Sequence, residues 1–457
     1  MHRALQIPEI LRLICLQISA LRENPLRNEL SKEQSRQLAL LARTCTTFSA
    51  PALHALWEFQ NTIFHLLDCM PPGIWQKDRV PLLLAPGITN IALGTFRSVP
   101  NLMVLGTLTA RCPSLSQVRL VQDGGSGTQH SEAVSSFVRG LTHIQDLTVQ
   151  GIDKAAWEHL ANLSSLHSLV VTTPNFGAVS SATEYIEPRF MALECLMLKL
   201  ASFQTVMASI GTSARRPPNS YSSLRQIYFN VSPPTPASSL MQIYLALRKH
   251  LPPSTLEILD LDCSSQPVPQ GPPATITTIQ PLFYFTNLAS VCLHVPTGMD
   301  LDDDAVLSMA RAWPNLASLT LSCTSPPQTP PAFPVRTTLL SLLYLAENCS
   351  ELGWLEMTVN ASVIPPIDDR YRHTLQHSLY HWEIGDSRII SPVGVGRFLS
   401  GLFSNLYDVG TDEMQEAAHN PGVAESQKQL WDEVGSALSA FSDVREEERM
   451  RMSCTCK

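Results

Sequence analysis

The sequence predicts an α/β chain that is largely a repeat solenoid, with one short parallel strand and one helix in each repeat. A short apolar pattern recurs along most of the 457 residues, and stretches with helical spacing precede several of its copies. A single repeat of this kind cannot bury its apolar face, whereas stacked neighbours can. The first 58 residues lack the pattern and have apolar residues at helical spacing instead.

The recurring pattern is an apolar residue, two variable residues, a second apolar residue, one variable residue and a third apolar residue. The last two apolar side chains share one face of a strand, and the residue between them faces the other way. Each copy is therefore predicted to be a short strand with one buried face. Copies begin at intervals of 22 to 36 residues, and the ten are Ile88/Ile91/Leu93, Leu115/Val118/Leu120, Ile144/Leu147/Val149, Leu166/Leu169/Val171, Leu193/Leu196/Leu198, Leu224/Ile227/Phe229, Leu256/Leu259/Leu261, Leu288/Val291/Leu293, Leu316/Leu319/Leu321 and Leu352/Leu355/Met357. A degraded eleventh copy begins at Leu406.

This array is similar to leucine-rich repeats of the long and irregular kind, and residues 59–410 are assigned to it. One feature departs from the common form. The asparagine expected three residues after the third apolar position is present only as Asn360. A regular internal ladder of asparagines is therefore not expected.

Residues 1–58 are predicted to form a three-helix domain. Apolar stripes at helical spacing run through Ile7–Ile14 and Leu38–Cys45, and Pro51 is suited to start a third helix. The run resembles an F-box through Ile7-Pro8-Glu9-Ile10, Ile14, Leu38, Leu41-Ala42, Cys45, Phe48, Leu53 and Trp57. Phe48 stands where tryptophan is frequent, and the link between the first two helices is unusually long.

An F-box followed by leucine-rich repeats implies the receptor subunit of a cullin-RING ubiquitin ligase. In that family the F-box docks on a Skp-type adaptor, and through it a cullin, while the repeats present a substrate. The resemblance places adaptor contacts at Ile7, Pro8, Glu9, Ile10, Ile14, Leu38, Leu41, Cys45, Phe48, Leu53 and Trp57. The alternative for each of these residues is that it only holds the three helices together.

The substrate, an unidentified protein, is expected on the concave strand face opposite the core. The residues chosen there are Arg119, Met197, Tyr228, Asp260, Trp354 and Glu356. An apolar middle flanked by Arg119 and by Asp260 and Glu356 suits a peptide or protein surface, and tyrosine and tryptophan are frequent hot spots. The alternative is an ordinary strand face partly covered by loops.

Several classes of function are excluded on composition and motifs. Only 16% of residues are charged and the net charge is −8, which argues against nucleic-acid binding. No apolar stretch is long enough for a membrane span. Eleven scattered cysteines without a signal peptide indicate reduced thiols in the cytoplasm or nucleus. No catalytic, metal or cofactor motif is present, so we expect neither an enzyme nor a bound cofactor.

One histidine trio has helical spacing. His373, His377 and His381 stand at i, i+4 and i+8, so they would share one face of a helix. Spacing alone does not make a metal site, and a polar or interface face near Trp382 is the favoured interpretation.

Residues 411–457 differ in character from the repeats. Trp431, Val434, Leu438 and Phe441 are spaced for one face of an amphipathic helix, and charged residues follow them. The segment is predicted to be either a helix that caps the open end of the solenoid or a detached tail.

Together these features predict a substrate-recognition subunit of an SCF-type ubiquitin ligase that has no catalytic site of its own. The alternative is a non-catalytic interaction scaffold whose degraded F-box does not bind the adaptor.

Overall fold

The structure is a computed structural model of the 457-residue chain. It describes residues 10, 11, 13–15, 17, 32–57, 59, 60, 90–93, 114–120, 128–174, 190–213, 223–233, 235–263, 271–322, 334–366, 371, 373–410 and 421–455. Its contacts divide the chain into two compact units, Met1–Met197 and Leu198–Lys457. The predicted domain boundaries at 58 and 410 stay predictions.

The first unit begins with packed helices. The described residues between 10 and 17 are helical, and helices α1, Lys32–Thr44, and α2, Thr46–Trp57, pack against each other. Their shared core consists of Cys15, Leu38, Ala52 and Ala55.

Helix α2 starts five residues earlier than the proline at its predicted start. The amides of Phe48 and Ser49 both donate to the Cys45 carbonyl, which closes the first turn ahead of Pro51. Pro51 therefore lies inside the helix, and the expectation that it starts a third helix is wrong. Pro51 has no amide to donate to the Thr47 carbonyl, so this turn of α2 has one backbone hydrogen bond fewer than a regular helix.

The described part of the first unit continues with parallel strands joined in chain order. They are β1 Phe59–Gln60, β2 Asn90–Leu93, β3 Gln117–Leu120, β4 Asp146–Gln150 and β5 Ser168–Thr172. Helices α3, Thr128–Arg139, and α4, Lys154–Ala161, connect the later strands. Asp153 is the N-cap of α4, and its carboxylate accepts a hydrogen bond from the Ala156 amide at 2.7 Å.

Strand β6, Cys195–Ala201, contains the boundary between the units. The second unit has further strands in the same parallel arrangement. They are β7 Gln226–Val231, β8 Ile258–Asp262, β10 Ser290–His294, β12 Ser318–Ser322, β13 Trp354–Met357, β15 His381–Glu383 and β17 Asp408–Gly410. Two pairs of short strands lie outside this sheet: β9 Ala274–Thr275 with β11 Met299–Asp300, and β14 Asn360–Ala361 with β16 Arg388–Ile389.

Helices alternate with the strands of the second unit. They are α5 Phe203–Ser213, α6 Ala237–His250, α7 Ile276–Ile279 with the 3₁₀ turn Gln280–Tyr284, α8 Asp303–Ala312, α9 Leu339–Asn348, α10 Pro392–Leu402 and α11 Pro421–Thr455. Helix α8 has Asp302 as its N-cap, and the Asp302 side chain accepts a hydrogen bond from the Ala305 amide. Across the parts of the chain that are described, no helix is both long enough and apolar enough to span a membrane.

The core lies where the repeat pattern places it. In the second to tenth copies every apolar position of the pattern is at most 8% exposed, and all ten copies contain a strand. The coarse prediction of an α/β repeat solenoid built on parallel strands is confirmed within each unit. The degraded eleventh copy at Leu406 also contains a strand, β17.

The sequence analysis missed one repeat. Leu379, Trp382 and Ile384 have the same spacing as the other copies and are fully buried around strand β15. His381 lies in this strand and His377 in irregular chain, so the three histidines do not share a helix face. The segment forms a strand and not a helix because the strand buries Leu379, Trp382 and Ile384, which contributes more than the helical spacing of the histidines.

A buried glutamine replaces part of the missing asparagine ladder. Gln376 is 3% exposed, and its Nε2 donates to the carbonyl of Leu352 at 2.7 Å and reaches those of Cys349 and Ser350. Its Oε1 accepts the Leu379 amide at 2.8 Å. One side chain thus satisfies backbone groups of two successive repeats.

We expect Gln376→Leu to lower the free energy of unfolding by about 1–3 kcal/mol, because buried carbonyls lose their donor. Urea titration followed by circular dichroism measures the change. Gln204→Leu, on an exposed position of α5, is the matched control. Equal stability of the two variants would show that these hydrogen bonds contribute nothing.

Helix α11 covers the last repeats of the second unit. It packs on α10 and buries Trp431, Val434 and Leu438. Gln427 hydrogen-bonds both the amide and the carbonyl of Ile389, and Arg445 donates to the Ser400 carbonyl at 2.7 Å. Of the two alternatives for the end of the chain, the structure has the packed helix at Pro421–Thr455.

Candidate functional site

The helical module at the start of the chain presents some predicted adaptor residues and buries others. Leu38 is fully buried, and Leu53 is 40% exposed. The half-buried members are Ile10, Ile14, Leu41, Cys45 and Phe48. Ile7, Pro8, Glu9 and the Trp57 side chain lie outside the described residues. Leu38 therefore holds the helices together, whereas Leu53 is available to a partner.

The module also exposes apolar side chains that the sequence analysis did not select. Leu13 is 65% and Leu40 54% exposed. Exposed leucines on so small a module favour a docking surface over an isolated domain. The signal was in the sequence, since Leu40 stands off the stripe that Leu38 and Leu41 define.

In the second unit, the strand register aligns the residues opposite the core in columns. The middle column runs Tyr228, Asp260, Cys292, Thr320, Glu356 and Glu383. The column on one side runs Trp354, His381 and Asp408, and the column on the other side runs Asn230, Asp262, His294 and Ser322. We call these thirteen residues the open face.

Four of the predicted substrate residues therefore share one surface, namely Tyr228, Asp260, Trp354 and Glu356. Arg119, exposed on β3, and Met197, half-buried on β6, belong to the first unit. Their role as substrate contacts stays a prediction.

The edge of the open face near the last strands combines an aromatic and an ionisable pair. The Trp354 ring stacks on the His381 ring at 3.9 Å between centroids and 20° between planes. His381 Nδ1 lies 2.6 Å from Asp408 Oδ2, while its Nε2 lies 3.8 Å from Glu383 Oε2. Stacking and the hydrogen bond fix the imidazole, and the indole remains 37% exposed.

The centre of the open face holds a thiol beside an imidazole. Cys292 Sγ lies 3.1 Å from His294 Nε2, and His294 Nδ1 contacts the Ser322 hydroxyl. Burial, reinforced by the carboxylates of Asp260 and Glu356, raises the pKa of the Cys292 thiol far above its ordinary value. An activated nucleophile needs the opposite shift, so this pair does not resemble a catalytic dyad.

The pKa of the Asp260 carboxyl is also raised. Burial is the main cause; the nearby Asp262 adds to it, while His294 and a hydrogen bond from Cys292 oppose it. Among the described residues, no group of three or more His, Cys, Asp or Glu is placed to hold a metal ion.

The sequence analysis selected four of the thirteen open-face residues and missed the other nine. Among the nine, Asp262 and His294 lie two residues beyond Asp260 and Cys292 along their strands, and His381, Glu383 and Asp408 lie on the unrecognised repeat and the degraded one. Allowing tryptophan at the middle apolar position would have found the repeat.

The cysteines of the two sites are expected to differ in reactivity. The Phe48 amide donates to the Cys45 sulfur and lowers the pKa of that thiol, although slight burial opposes it. Because the thiolate is the reactive form, iodoacetamide near pH 8 should alkylate Cys45 well before Cys292 in the native chain. Raising the pH should speed Cys292 more than Cys45. Mass spectrometry of timed digests measures both rates, and faster labelling of Cys292 would contradict the described surroundings.

Comparison with known proteins gives little likeness in sequence. No protein-family model matches the chain, and no curated protein matches it. Among solved structures, a similar chain is found in the crystal structure of the Rad7 and Elc1 complex in yeast, with 15% identity, 88% of this chain and 87% of that chain covered, and a TM-score of 0.43.

Proposed function

We propose that the chain is the substrate-recognition subunit of an SCF-type, cullin-RING ubiquitin ligase. Its N-terminal helices form an F-box that docks on a Skp-type adaptor, and its irregular leucine-rich repeats bind the target protein. In this proposal the chain performs no bond chemistry, and the ligation reaction belongs to the partner enzymes.

The observation that carries the proposal is the order of two features in one chain. A small helical module with the residues of an F-box comes first, and an array of strand-and-helix repeats follows. The module has its own core around Leu38 and leaves Leu13, Leu40 and Leu53 exposed. A partner helix is the usual means of covering such a surface.

The repeats supply what a receptor needs. The open face carries polar, charged and aromatic side chains on a rigid parallel sheet, a surface suited to a protein partner. The raised pKa of Cys292 argues against the one arrangement there that suggests an enzyme.

Immunoprecipitation of the full chain from cells tests the proposal. We expect a Skp-type adaptor and a cullin to be recovered together, and both to be lost with Leu53→Asp, which places a charge on the exposed apolar surface without filling the core. Leu375→Asp makes the same change at a leucine of the second unit that is 55% exposed, and should recover both partners.

Recovery of neither partner with the wild-type chain would contradict the proposal. That result would favour the scaffold whose F-box does not bind the adaptor. If Leu53→Asp and the wild type recovered both partners equally, the exposed surface of the helical module would not be the adaptor contact.

A further inference from the structure

The open face of the second unit is strongly one-sided in charge. It carries five carboxylates, from Asp260, Asp262, Glu356, Glu383 and Asp408, and neither lysine nor arginine among its thirteen residues. The ionisable nitrogen groups of the face are the imidazoles of His294 and His381. Carboxylates on one surface focus a negative potential that attracts cations.

Arginines of the same unit pair with carboxylates elsewhere. Arg225 meets Glu257 at 3.1 Å, and Arg336 meets Asp300 at 3.2 Å and Asp302 at 2.6 Å. None of these residues belongs to the open face. Arg225 and Arg336 are thus paired with acids away from the face.

Polar atoms on the open face remain without hydrogen bonds. The Oε1 atom of Glu356 is enclosed and has no hydrogen-bond partner among the residues described. The Nε2 atom of His381, a residue that is only 9% exposed, also has no hydrogen-bond partner there and lies 3.8 Å from Glu383 Oε2. Buried polar atoms normally find partners, so these atoms point to a ligand that donates hydrogen bonds.

The exposed indole of Trp354 adjoins these atoms. One of its faces stacks on His381, and the side chain stands beside Glu356 on the same strand. An aromatic ring next to carboxylates is a favourable environment for a guanidinium or ammonium group.

We propose that the open face binds an extended, basic segment of the target protein, with arginine or lysine side chains directed at Asp260 and Glu356. This proposal rests on the proposed function, which supplies the existence of a target protein, and it adds the chemical class of the target segment. Arginine suits the site well, because a planar fork of donors matches a carboxylate and stacks on an indole.

The sheet sets the spacing of the basic residues. Asp260 and Glu356 stand in one column, separated by three strand-to-strand steps, or about 14 Å. An extended segment that crosses the strands covers this distance in about four residues. The segment is therefore expected to have basic residues at i and about i+4.

Fluorescence anisotropy with the purified full chain tests the inference directly. The probe is a short labelled peptide with arginines at i and i+4, and the comparison peptide has glutamates there. We expect only the arginine peptide to bind at physiological salt. The double variant Asp260→Asn/Glu356→Gln should weaken its binding by about tenfold or more.

Glu433→Gln/Glu446→Gln on the exposed side of α11 removes the same charge and is the matched control. It should bind like the wild type. If both double variants weakened peptide binding equally, the effect would come from the net charge of the chain and not from the open face, and the proposed site would be wrong. Absence of preference for the arginine peptide would overturn it as well. Because no adaptor is present, the outcome is independent of the ligase proposal, which can fail or hold by itself.

Thermal unfolding separates binding from folding. Burial raises the pKa of the Asp260 carboxyl in the folded chain, so the stabilising effect of its proton is present at low pH and lost as pH rises through that raised pKa. Asp262, Cys292 and His294 face the same carboxyl: Asp262 raises its pKa further, whereas His294 and the hydrogen bond from Cys292 lower it. We therefore expect Asp260→Asn to melt above the wild type at neutral pH while binding the peptide more weakly. A lower melting temperature would make the residue structural and contradict a ligand-binding role.

Discussion

Trp431→Ala is expected to lower the free energy of unfolding of the second unit by about 3–5 kcal/mol, the usual range for a fully buried tryptophan. The side chain is 1% exposed and meets Trp382 edge-to-face at 5.4 Å between centroids. Its Nε1 donates to the Ser387 carbonyl at 2.9 Å. Truncation removes the main anchor of α11 and uncovers the last repeats, which a solenoid end does not tolerate.

Amide hydrogen exchange measures this effect by region. Protection should fall in 381–410 and along α11. Val444→Ala, on a residue of the same helix that is 54% exposed, is the control and should leave protection unchanged. A Trp431→Ala chain with wild-type protection over 381–410 would show that α11 does not stabilise the repeats.

Leu38→Asp is expected to unfold the helical module, because it places an unpaired carboxylate in the core of Cys15, Ala52 and Ala55. Burying such a group costs several kcal/mol, more than a module this small can lose. Adaptor binding should disappear together with exchange protection over 32–57. Protection of the repeats at 256–322 should persist.

Leu40→Asp makes the same change at the 54% exposed neighbour and should keep the module folded. Circular dichroism and hydrogen exchange on both variants separate the core residue from the surface residue. Retained protection over 32–57 in Leu38→Asp would mean that the core described around Leu38 is wrong.

The repeat pattern predicted the strands well because each strand buries its own three apolar residues. Leu259 and Leu261, for example, are fully buried on the face that their spacing predicts. The helices were less predictable. The start of α2 depends on two amides converging on the Cys45 carbonyl, a backbone event that Pro51 does not reveal.

The charge of the open face could not be predicted from the six residues that the sequence analysis chose on the concave strand face. It depends on the register of β15 and β17, which carry Glu383 and Asp408, and the first of these strands follows a tryptophan-centred pattern. Likewise, the sequence does not give the burial that raises the pKa of the Asp260 carboxyl. Such features come from neighbours distant in the chain.

Titration of a purified Skp-type adaptor into the full chain by isothermal calorimetry tests the central proposal most directly. The proposal predicts one-to-one binding with a dissociation constant of about 1 µM or tighter. Leu53→Asp should abolish the heat of binding, and Leu375→Asp should leave it intact. A folded wild-type chain that gives no heat of binding at adaptor concentrations well above this value would contradict the ligase-receptor function.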